Sequence, residues 1–367
     1  MSKTRVAIIC GGKSGEHEVS LQSAKNIIEA IDRDKYEVVV IGIDKTGRWA
    51  LYPNDDFLLH QDDPERIQLK GSGQWLSVAP GGGRENGLVR DGLPAAGPID
   101  VVFPVLHGPC GEDGTVQGLF YLANLPFVGA GVLGSAVGMD KDVMKRLFRD
   151  AGIPIADFQV LHRHARNRIR YEDLAAELGL PFFVKPANYG SSIGVAKIHH
   201  AMDFQKALDE AFRCDRKVLV EEAIQGREIE CSVLGNEEPA ASLPGEIIPR
   251  HDFYSYQAKY IDDSGARLII PAKLAEPVVQ RIQELAVRSF QVLCCEGMAR
   301  VDFFLKDNQQ LIVNEINTIP GFTRISMYPK LWEVSGISYP DLIDRLIQLA
   351  LARFEQESQI TAGGNQG

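Results

Sequence analysis

Residues 297–326 read GMARVDFFLKDNQQLIVNEINTIPGFTRIS. Two apolar runs, Val301–Leu305 and Leu311–Val313, flank the polar turn Lys306–Gln310, which predicts a β-hairpin. Successive side chains of a strand point to opposite faces, so polar residues at every second position share a face. A turn with an even residue count, two or four, places four polar residues on one side of the sheet: Arg300, Asp302, Glu315 and Asn317.

This polar face predicts a metal site. Asp302 and Glu315 supply carboxylates and Asn317 supplies an amide oxygen, the hard ligands that Mg²⁺ prefers. Magnesium that is held by few protein oxygens usually also binds nucleotide phosphates. A solvated strand face would more often carry Lys, Thr and Ser, so we favour the metal site.

Composition restricts the class of protein. The chain has 367 residues, enough for two or three domains. Its net charge is −10 and it has no basic run, which argues against a nucleic-acid partner. No segment approaches the ~20 apolar residues that span a bilayer, and the N-terminal apolar run is too short for a signal peptide. Six cysteines without metal-binding spacing suit a reducing compartment, so we expect a cytoplasmic protein with no membrane partner.

The first third of the chain predicts alternating strands and helices. The pattern gives strands at Val6–Cys10, Tyr36–Ile43 and Ile99–Val105, with a helix at Glu18–Ile31. Residues 70–98 are rich in glycine and proline and predict an irregular excursion. This alternation favours a mostly parallel sheet, in which ligands collect at the carboxyl ends of the strands.

A second unit opens near Gly131. Asp140 can cap a helix that ends at Asp150, and strands at Pro181–Lys185 and Lys217–Val220 enclose a helix at about 202–213. From Glu228 onward, a larger α/β unit contains the hairpin. The last helix is expected at 339–354, and the polar tail ITAGGNQG after it is expected to be disordered.

A glycine-rich segment, PANYGSSIGV at 186–195, directly follows a predicted strand. Its glycines permit tight curvature, and its backbone N–H groups and two hydroxyls suit phosphate oxygens. Lys185 adds a positive charge. Alone, such a loop is as often a simple hairpin; we favour a phosphate site because Lys141 and the carboxylate hairpin occur in the same chain.

The N-terminal segment GGKS at 11–14 does not form a nucleotide motif, because the spacing of a P-loop and the pattern GxGxxG are both absent. This glycine turn instead brings Glu16 to the mouth of the sheet. A second interpretation is that Glu16 or Glu18 caps the following helix. From these residues alone, we favour helix capping.

Two further segments leave alternatives open. The stretch 217–228 is a strand, a short hinge and a second strand; it either offers polar groups to adenosine or links two domains. Residues 250–260, RHDFYSYQAKY, are aromatic and polar without a clear period. They form either a packed surface loop or a lid over a substrate, and we favour the lid because a phosphate loop and a metal hairpin accompany it.

Taken in order, these motifs closely resemble the D-alanine–D-alanine ligases of the ATP-grasp superfamily over roughly residues 4–350. The resemblance implies an α/β fold of three domains, with nucleotide held between the central and C-terminal ones. The implied domains are an N-terminal Rossmann-like parallel-sheet domain at 1–130, a central domain at 131–222 and a C-terminal domain at 223–367. The matching motifs are GGKSGEHEVSLQSA at 11–24, HGPCGEDG at 107–114, GMDKDVMKRL at 138–147, KPANYGSSIGV at 185–195, EEAIQGREIEC at 221–231, DFYSYQAKY at 252–260, GMARVDFF at 297–304 and NEINTIPGFT at 314–323.

The resemblance implies a cell-wall enzyme that joins two D-alanines at the expense of ATP, for peptidoglycan precursors and cell shape. In this family, the carboxylate of the first D-alanine attacks the γ-phosphate and forms an acyl phosphate. The amine of the second D-alanine then displaces phosphate, leaving ADP and D-alanyl-D-alanine. An amine is expected rather than the hydroxyl of D-lactate, because Tyr260 matches the dipeptide-forming members.

The resemblance also assigns residues to roles. Glu16 would bind the first ammonium group, and Arg300 the oxyanion of the tetrahedral intermediate. The implied catalytic residues are Glu16, Ser191, Tyr260, Arg300 and Ser326, with Glu16, Ser191 and Tyr260 linked by hydrogen bonds. The implied substrate contacts are His107, Lys259 and Gly321. The implied nucleotide contacts are Lys141, Lys185, Ser192, Glu221, Glu222, Ile224 and Glu228. Two Mg²⁺ or Mn²⁺ ions would bind Asp302, Glu315 and Asn317.

Two interpretations from other classes are less favoured. A nicotinamide-dependent oxidoreductase would explain the βαβ start, but the absent GxGxxG and the carboxylate hairpin argue against it. A non-catalytic ADP-binding module is disfavoured because both metal carboxylates are present. The expected partners are ATP, D-alanine and a second copy of the chain.

Overall fold

Three main β-sheets organise the molecule. The computed structural model describes residues 3–52, 56–71, 73–95, 97–249, 266–323 and 325–364. Across those ranges, no helix is both long enough and apolar enough to span a membrane. A separate two-stranded sheet pairs β4 (Leu58–Leu59) with β5 (Gln68–Leu69).

The first sheet has seven strands in the order β8-β7-β6-β3-β2-β1-β9. Only β2-β1-β9 is parallel, and the strands beyond β2 run antiparallel, so the expected parallel sheet is correct for three strands and wrong for the rest. The parallel strands are almost wholly apolar because both faces are covered. Their bounds are β1 Thr4–Gly11, β2 Tyr36–Ile43, β3 Trp49–Tyr52, β6 Gln74–Val78, β7 Leu88–Arg90, β8 Leu93–Pro94 and β9 Val101–Val105.

The expected irregular excursion at 70–98 is wrong. This segment contains β6, β7 and β8, which extend the antiparallel edge of the sheet, and a short helix α2 (Gly83–Asn86). Its glycines occupy the turns between these short strands: Gly81, Gly83 and Gly92 all have positive φ.

Helices cover both faces of the first sheet. They are α1 (His17–Ala30), α3 (Thr115–Leu122) and a C-terminal helix (Tyr339–Gly364), whereas α4 (Val132–Met139) packs against α3 and β19. The C-terminal helix packs Leu342, Ile343, Leu346 and Ile347 into the same core as β1. It also continues past Phe354, so the expected disorder of the tail is wrong up to Gly364; residues 365–367 lie outside the described ranges.

The second sheet is antiparallel, in the order β10-β13-β11-β12. Its strands are β10 (Phe158–His162), β11 (Phe182–Pro186), β12 (Ala196–Ile198) and β13 (Lys217–Glu222). A 3-10 helix (Arg163–Arg168), α6 (Tyr171–Leu178) and α7 (Ala201–Cys214) belong to the same part of the chain. As predicted, α7 lies between two strands in sequence.

The third sheet runs in the order β17-β16-β14-β18-β19, with β15 pairing β14. Its strands are β14 (Arg227–Gly235), β15 (Ala240–Ala241), β16 (Gly245–Pro249), β17 (Ala266–Ile269), β18 (Gly297–Lys306) and β19 (Gln310–Asn317). Two helices, Glu276–Val292 and Met327–Val334, pack on it. The helix α5 (Lys141–Asp150) shares this core through Met144 and Phe148, which brings its first residues beside β19.

Candidate active site

A three-residue turn joins the strands β18 and β19 of the hairpin. Lys306 pairs with Gln310, and the turn residues Asp307 and Asn308 adopt the left-handed conformation that Asp and Asn tolerate best. The expected even-numbered turn is therefore wrong. Without a correction further along, an odd turn would place the acid residues of the two strands on opposite faces.

A β-bulge supplies that correction. The register shifts after Phe303 pairs with Val313, so that Asn314 is an extra residue and Asp302 pairs with Glu315. Beyond the bulge, Arg300 lies opposite Asn317. All four predicted polar residues therefore share one face, while the flanking Val313 and Ile316 are both buried.

On this face the two acids already contact cations. Asp302 accepts two hydrogen bonds from Arg300, Nε–Oδ1 at 2.7 Å and Nη2–Oδ2 at 2.8 Å, and one from Asn317 Nδ2 at 3.1 Å. Glu315 Oε2 lies 3.2 Å from Lys141 Nζ. In the part of the chain that the structure describes, no three His, Cys, Asp or Glu residues form a metal cluster. Within the hairpin this face offers two carboxylates, Asp302 and Glu315, which fits a dication completed by phosphate oxygens.

Arg300 connects two neighbouring strands. Its Nε also lies 2.9 Å from Glu230 Oε2 on β14, so one guanidinium bridges two carboxylates. The planar fork of donors makes this geometry possible, and it fixes the side chain at the centre of the site. Glu230 was not predicted from the sequence.

Lys141 begins helix α5. The carboxylate of Asp140 accepts hydrogen bonds from the N–H groups of Asp142 and Val143, which caps the helix as predicted. Lys141 Nζ then donates to Tyr189 O at 3.0 Å, in the glycine-rich segment. The cap therefore places a lysine between that segment and the acid face.

Lys185, at the end of β11, contacts Glu221. Its Nζ donates to Glu221 Oε1 at 2.7 Å, and the other oxygen of Glu221 lies 2.7 Å from Lys145 Nζ. Burial acts to raise the pKa of Glu221, but the two lysines outweigh it and hold this pKa below the usual value. Lys145 was missed from the sequence, although it follows Lys141 by one helical turn on the same face.

Most of these groups line one cavity of about 260 Å³ between the second and third sheets; Arg300, Asn317 and Lys145 are not among its lining residues. The glycine-rich segment curves around it, with positive φ at Ser191, Ser192 and Gly194. Glu222 approaches from the hinge and accepts a hydrogen bond from Asp157 N at 2.9 Å. The predicted residues that the cavity brings together are Lys141, Lys185, Ser191, Ser192, Glu221, Glu222, Ile224, Glu228, Asp302 and Glu315.

Glu16 joins the first sheet to this cavity. It lies just before α1, at the carboxyl end of β1, and its carboxylate accepts a hydrogen bond from Ser191 Oγ. Two members of the expected link are thus in direct contact. Tyr260, like Lys259 and the whole expected lid at 250–260, lies outside the described residues.

The loop after β9 contacts the residue Ile319, which follows the hairpin β18–β19. His107 Nδ1 lies 3.0 Å from Ile319 O, and Glu112 Oε1 accepts from Ile319 N at 3.3 Å. Burial, together with the charge of Glu16, raises the pKa of Glu112 to about 8. Burial also lowers the pKa of His107, which favours the neutral ring that donates from Nδ1. Glu112 was quoted in a motif but given no role.

Gly321 and Ser326 lie side by side. A Cβ on Gly321 would come 2.8 Å from Ser326 Oγ, so a larger residue here would have to displace the Ser326 side chain. The Ser326 hydroxyl also accepts from Thr323 N at 3.0 Å. Gly321, predicted as a substrate contact, and Ser326, predicted as a catalytic residue, are therefore adjacent.

Comparisons with known proteins agree with this geometry. Two family models match, the N-terminus of D-ala D-ala ligase at residues 5–130 and its C-terminus at 147–348. The chain is 53% identical to the D-alanine–D-alanine ligase of Oceanobacillus iheyensis, with 100% of both chains covered. The chain belongs to the D-alanine–D-alanine ligase family.

Solved structures of the D-alanine–D-alanine ligase family share the fold. The ligase from Coxiella burnetii superposes with a TM-score of 0.86 at 41% identity, covering 99% of this chain and 98% of that one. The VanG D-Ala:D-Ser ligase from Enterococcus faecalis gives 0.82 at 36% identity, covering 95% and 100%. The expected three-part ATP-grasp fold is therefore confirmed.

Proposed function

We propose that the chain ligates two D-alanines to D-alanyl-D-alanine in peptidoglycan synthesis, through a D-alanyl phosphate and with release of ADP and phosphate. Family membership supports the reaction. One observation assigns this reaction to particular residues: Lys141, Lys185 and the acids Asp302 and Glu315 line the same cavity. Phosphoryl transfer to a carboxylate requires positioning and charge neutralisation, which such a cavity supplies.

In the proposed mechanism, Lys141, Lys185 and the hydroxyl of Ser192 bind the ATP phosphates. The nucleotide contacts in and beside the hinge bind adenosine: Glu221, Glu222, Ile224 and Glu228. Asp302, Glu315 and Asn317 would hold Mg²⁺ or Mn²⁺, and the oxygen donors of that face fit both. Two ions per site, when bound, would neutralise phosphate charge.

The amino-acid substrates lie on the side of the first sheet. Glu16 receives the ammonium of the first D-alanine, which brings its carboxylate toward the γ-phosphate. Arg300 then stabilises the oxyanion formed when the second amine attacks. Ser326, Gly321, His107 and Lys259 position the second D-alanine, and Tyr260 closes the link to Glu16 through Ser191.

We propose an amine rather than a hydroxyl as the second nucleophile. The relative named as a D-Ala:D-Ser ligase makes the second substrate the question to test. Products formed from ATP and D-alanine, in mixtures with D-lactate or D-serine, are separated between pH 6 and 9. We expect D-alanyl-D-alanine to dominate, and Tyr260→Phe to raise the share of D-lactate most at low pH. Mainly depsipeptide or D-serine product from the unmodified protein contradicts the assignment.

A second copy of the chain is the proposed partner. Residues 115–139 contain no charged residue, and the packed helices α3 and α4 in this stretch expose several apolar side chains. Tyr121, Leu122 and Leu133 are each at least 60% exposed, an unusual patch for a free surface. We propose that this face pairs with its own copy around a two-fold axis, as in most homo-oligomers.

Sedimentation velocity tests the dimer. Leu133→Glu introduces a charge at the centre of this face and should convert the dimer to a monomer. Met202→Glu, at an exposed position on α7, is the control and should leave the dimer intact. A monomeric unmodified protein, or a dimeric Leu133→Glu variant, rules out this interface.

The proposed domain bounds follow the three sheets. The strands of the three sheets fall within 1–130, 131–222 and 223–367, and we propose these as the domains.

The cysteines bear on the cellular location. The six cysteines are all free thiols, which suits a reducing compartment, and ATP is a cytoplasmic co-substrate. We therefore propose a cytoplasmic enzyme that binds neither membranes nor nucleic acid.

A further inference from the structure

Lys145 is the most deeply buried charged residue among those that surround the nucleotide cavity. Its exposed fraction is 0%, and its Nζ lies 2.7 Å from Glu221 Oε2. The opposite oxygen of Glu221 accepts from Lys185 Nζ at 2.7 Å. The three side chains thus form a line, with the carboxylate between two ammonium groups and the Phe158 ring 5.8 Å from Lys145 Nζ.

Burying the ammonium group of Lys145 costs free energy that an apolar residue at the same position would not. Burial lowers the pKa of Lys145, and nearby Lys185 lowers it further, whereas Glu221 acts in the opposite direction. An apolar side chain of similar length would fill the same volume without loss of hydration. A buried lysine at this point therefore needs an electrostatic explanation.

Charge balance supplies one. If Glu221 contacted Lys185 alone, the pair would have no net charge, and Lys185 would attract phosphate weakly. With Lys145 on the far side, the three side chains together carry one net positive charge; Lys185 and Glu221 line the cavity, and Lys185 is the more exposed of the two. In the low-dielectric interior this difference acts strongly on a nearby anion.

We infer that Lys145 is a positioning residue for the nucleotide: it neutralises Glu221 from behind, so that Lys185 keeps its charge for the ATP phosphates. The inference rests on the proposed role of Lys185. It gives α5 two functions, since Lys141 reaches the acid face from the first turn and Lys145 supports the phosphate lysine from the second.

Nucleotide affinity measured by calorimetry tests this role. Lys145→Met removes the charge and keeps the apolar stem. We expect magnesium–ADP to bind roughly tenfold or more weakly, the effect of one charge-assisted contact, while adenosine binds as before. Lys206→Met, at an exposed position on α7, is the control and should change neither affinity. An equal loss of adenosine and ADP affinity would mean a merely structural role and would overturn the inference.

A double variant provides the decisive comparison. Glu221→Gln keeps an acceptor oxygen but removes the negative charge, so Lys145→Met with Glu221→Gln leaves Lys185 charged and no buried charge unpaired. Glu221 is itself a proposed adenosine contact, so adenosine affinity is measured beside ADP affinity, and we expect the ratio of the two to return close to that of the unmodified protein. This variant also carries the test alone if Lys145→Met does not fold. Weak ADP binding with normal adenosine binding in the double variant contradicts the inference.

Lys185→Met separates this inference from the proposed site. If that change leaves the ratio of ADP to adenosine affinity unaltered, the phosphate role of Lys185 fails, and the role of Lys145 fails with it. If Lys185→Met weakens ADP alone and Lys145→Met changes nothing, only the role of Lys145 fails.

Discussion

At the scale of single residues, Glu315 shows how the site depends on charge. It lies 3.2 Å from Lys141 and faces Asp302 across the hairpin. Glu315→Gln keeps the shape but offers a poorer ligand to a hard dication, so we expect turnover to fall by roughly 10²-fold with the fold intact. Phosphate release at millimolar magnesium measures this. The exposed Glu333→Gln variant is the control; near-normal turnover of Glu315→Gln removes the metal assignment.

Arg300 gives a second prediction at this scale. A lysine cannot bridge Glu230 and Asp302 as the guanidinium does, nor donate a planar fork to an oxyanion. Arg300→Lys should therefore keep its affinity for magnesium–ATP and lose roughly 10²-fold in turnover. Calorimetry and steady-state rates distinguish the two quantities. A variant whose only defect is weaker ATP binding speaks against the oxyanion role.

The residues that sequence reasoning missed have a common physical reason. Lys145 and Glu112 look like ordinary charged positions, and only burial shows otherwise. Burial depends on elements distant in sequence, such as the hairpin end that contacts Glu112 through Ile319 N. In contrast, Asp302 and Glu315 could be singled out because each shares its strand face with a second polar residue, although their facing each other also depends on the bulge at Asn314.

At the scale of elements, the hairpin was predicted correctly for a partly wrong reason. The sequence favours one uniform register, whereas the structure combines a three-residue turn with a bulge at Asn314. Val313 and Ile316 are three positions apart, and the bulge between them places both opposite buried residues of β18, Phe303 and Val301. The apolar runs were a readable signal for the hairpin but not for the bulge. The strands within 70–98 gave no such signal, because they are short and pair only as a sheet edge.

A substitution in the loop after β9 tests whether that loop positions His107 and Glu112. A Cβ on Gly111 would come 2.5 Å from the carbonyl oxygen of Leu106, so Gly111→Ala must shift the loop that carries His107 and Glu112. Because small displacements at a reacting centre cost up to about 10²-fold, we expect kcat/KM for D-alanine to fall at least tenfold, with unchanged ATP affinity. Gly71→Ala has open space and is the control. Unaltered kinetics for Gly111→Ala would show that the loop is not a positioning element.

At the scale of the whole molecule, one arginine ties the C-terminal helix to the rest. Arg353 is 6% exposed and donates to Gly129 O at 2.6 Å, Phe127 O at 2.7 Å and Glu296 Oε2 at 3.1 Å. Its guanidinium also lies over the Phe127 ring, 4.6 Å from the centroid. No local pattern predicts such contacts, because the partners are more than fifty residues away in sequence.

Arg353→Met leaves two buried carbonyls and a carboxylate without this donor. We expect the free energy of unfolding to fall by about 3 kcal/mol or more. Arg353→Lys should lose less, since an ammonium can still reach one of the three acceptors. Urea unfolding of the three proteins measures the difference. Equal stability of Arg353→Met and the unmodified protein contradicts this account.

The return of the C-terminal helix to the first core also has a consequence for biosynthesis. Leu342 and Leu346 cover one face of the sheet that contains β1 and β9, yet they leave the ribosome more than two hundred residues later. At typical elongation rates, the nascent sheet waits roughly ten to fifty seconds with that face bare. During this time it is a natural client for chaperones that bind apolar surface. The last helix to be synthesised therefore completes the core of the first sheet to emerge.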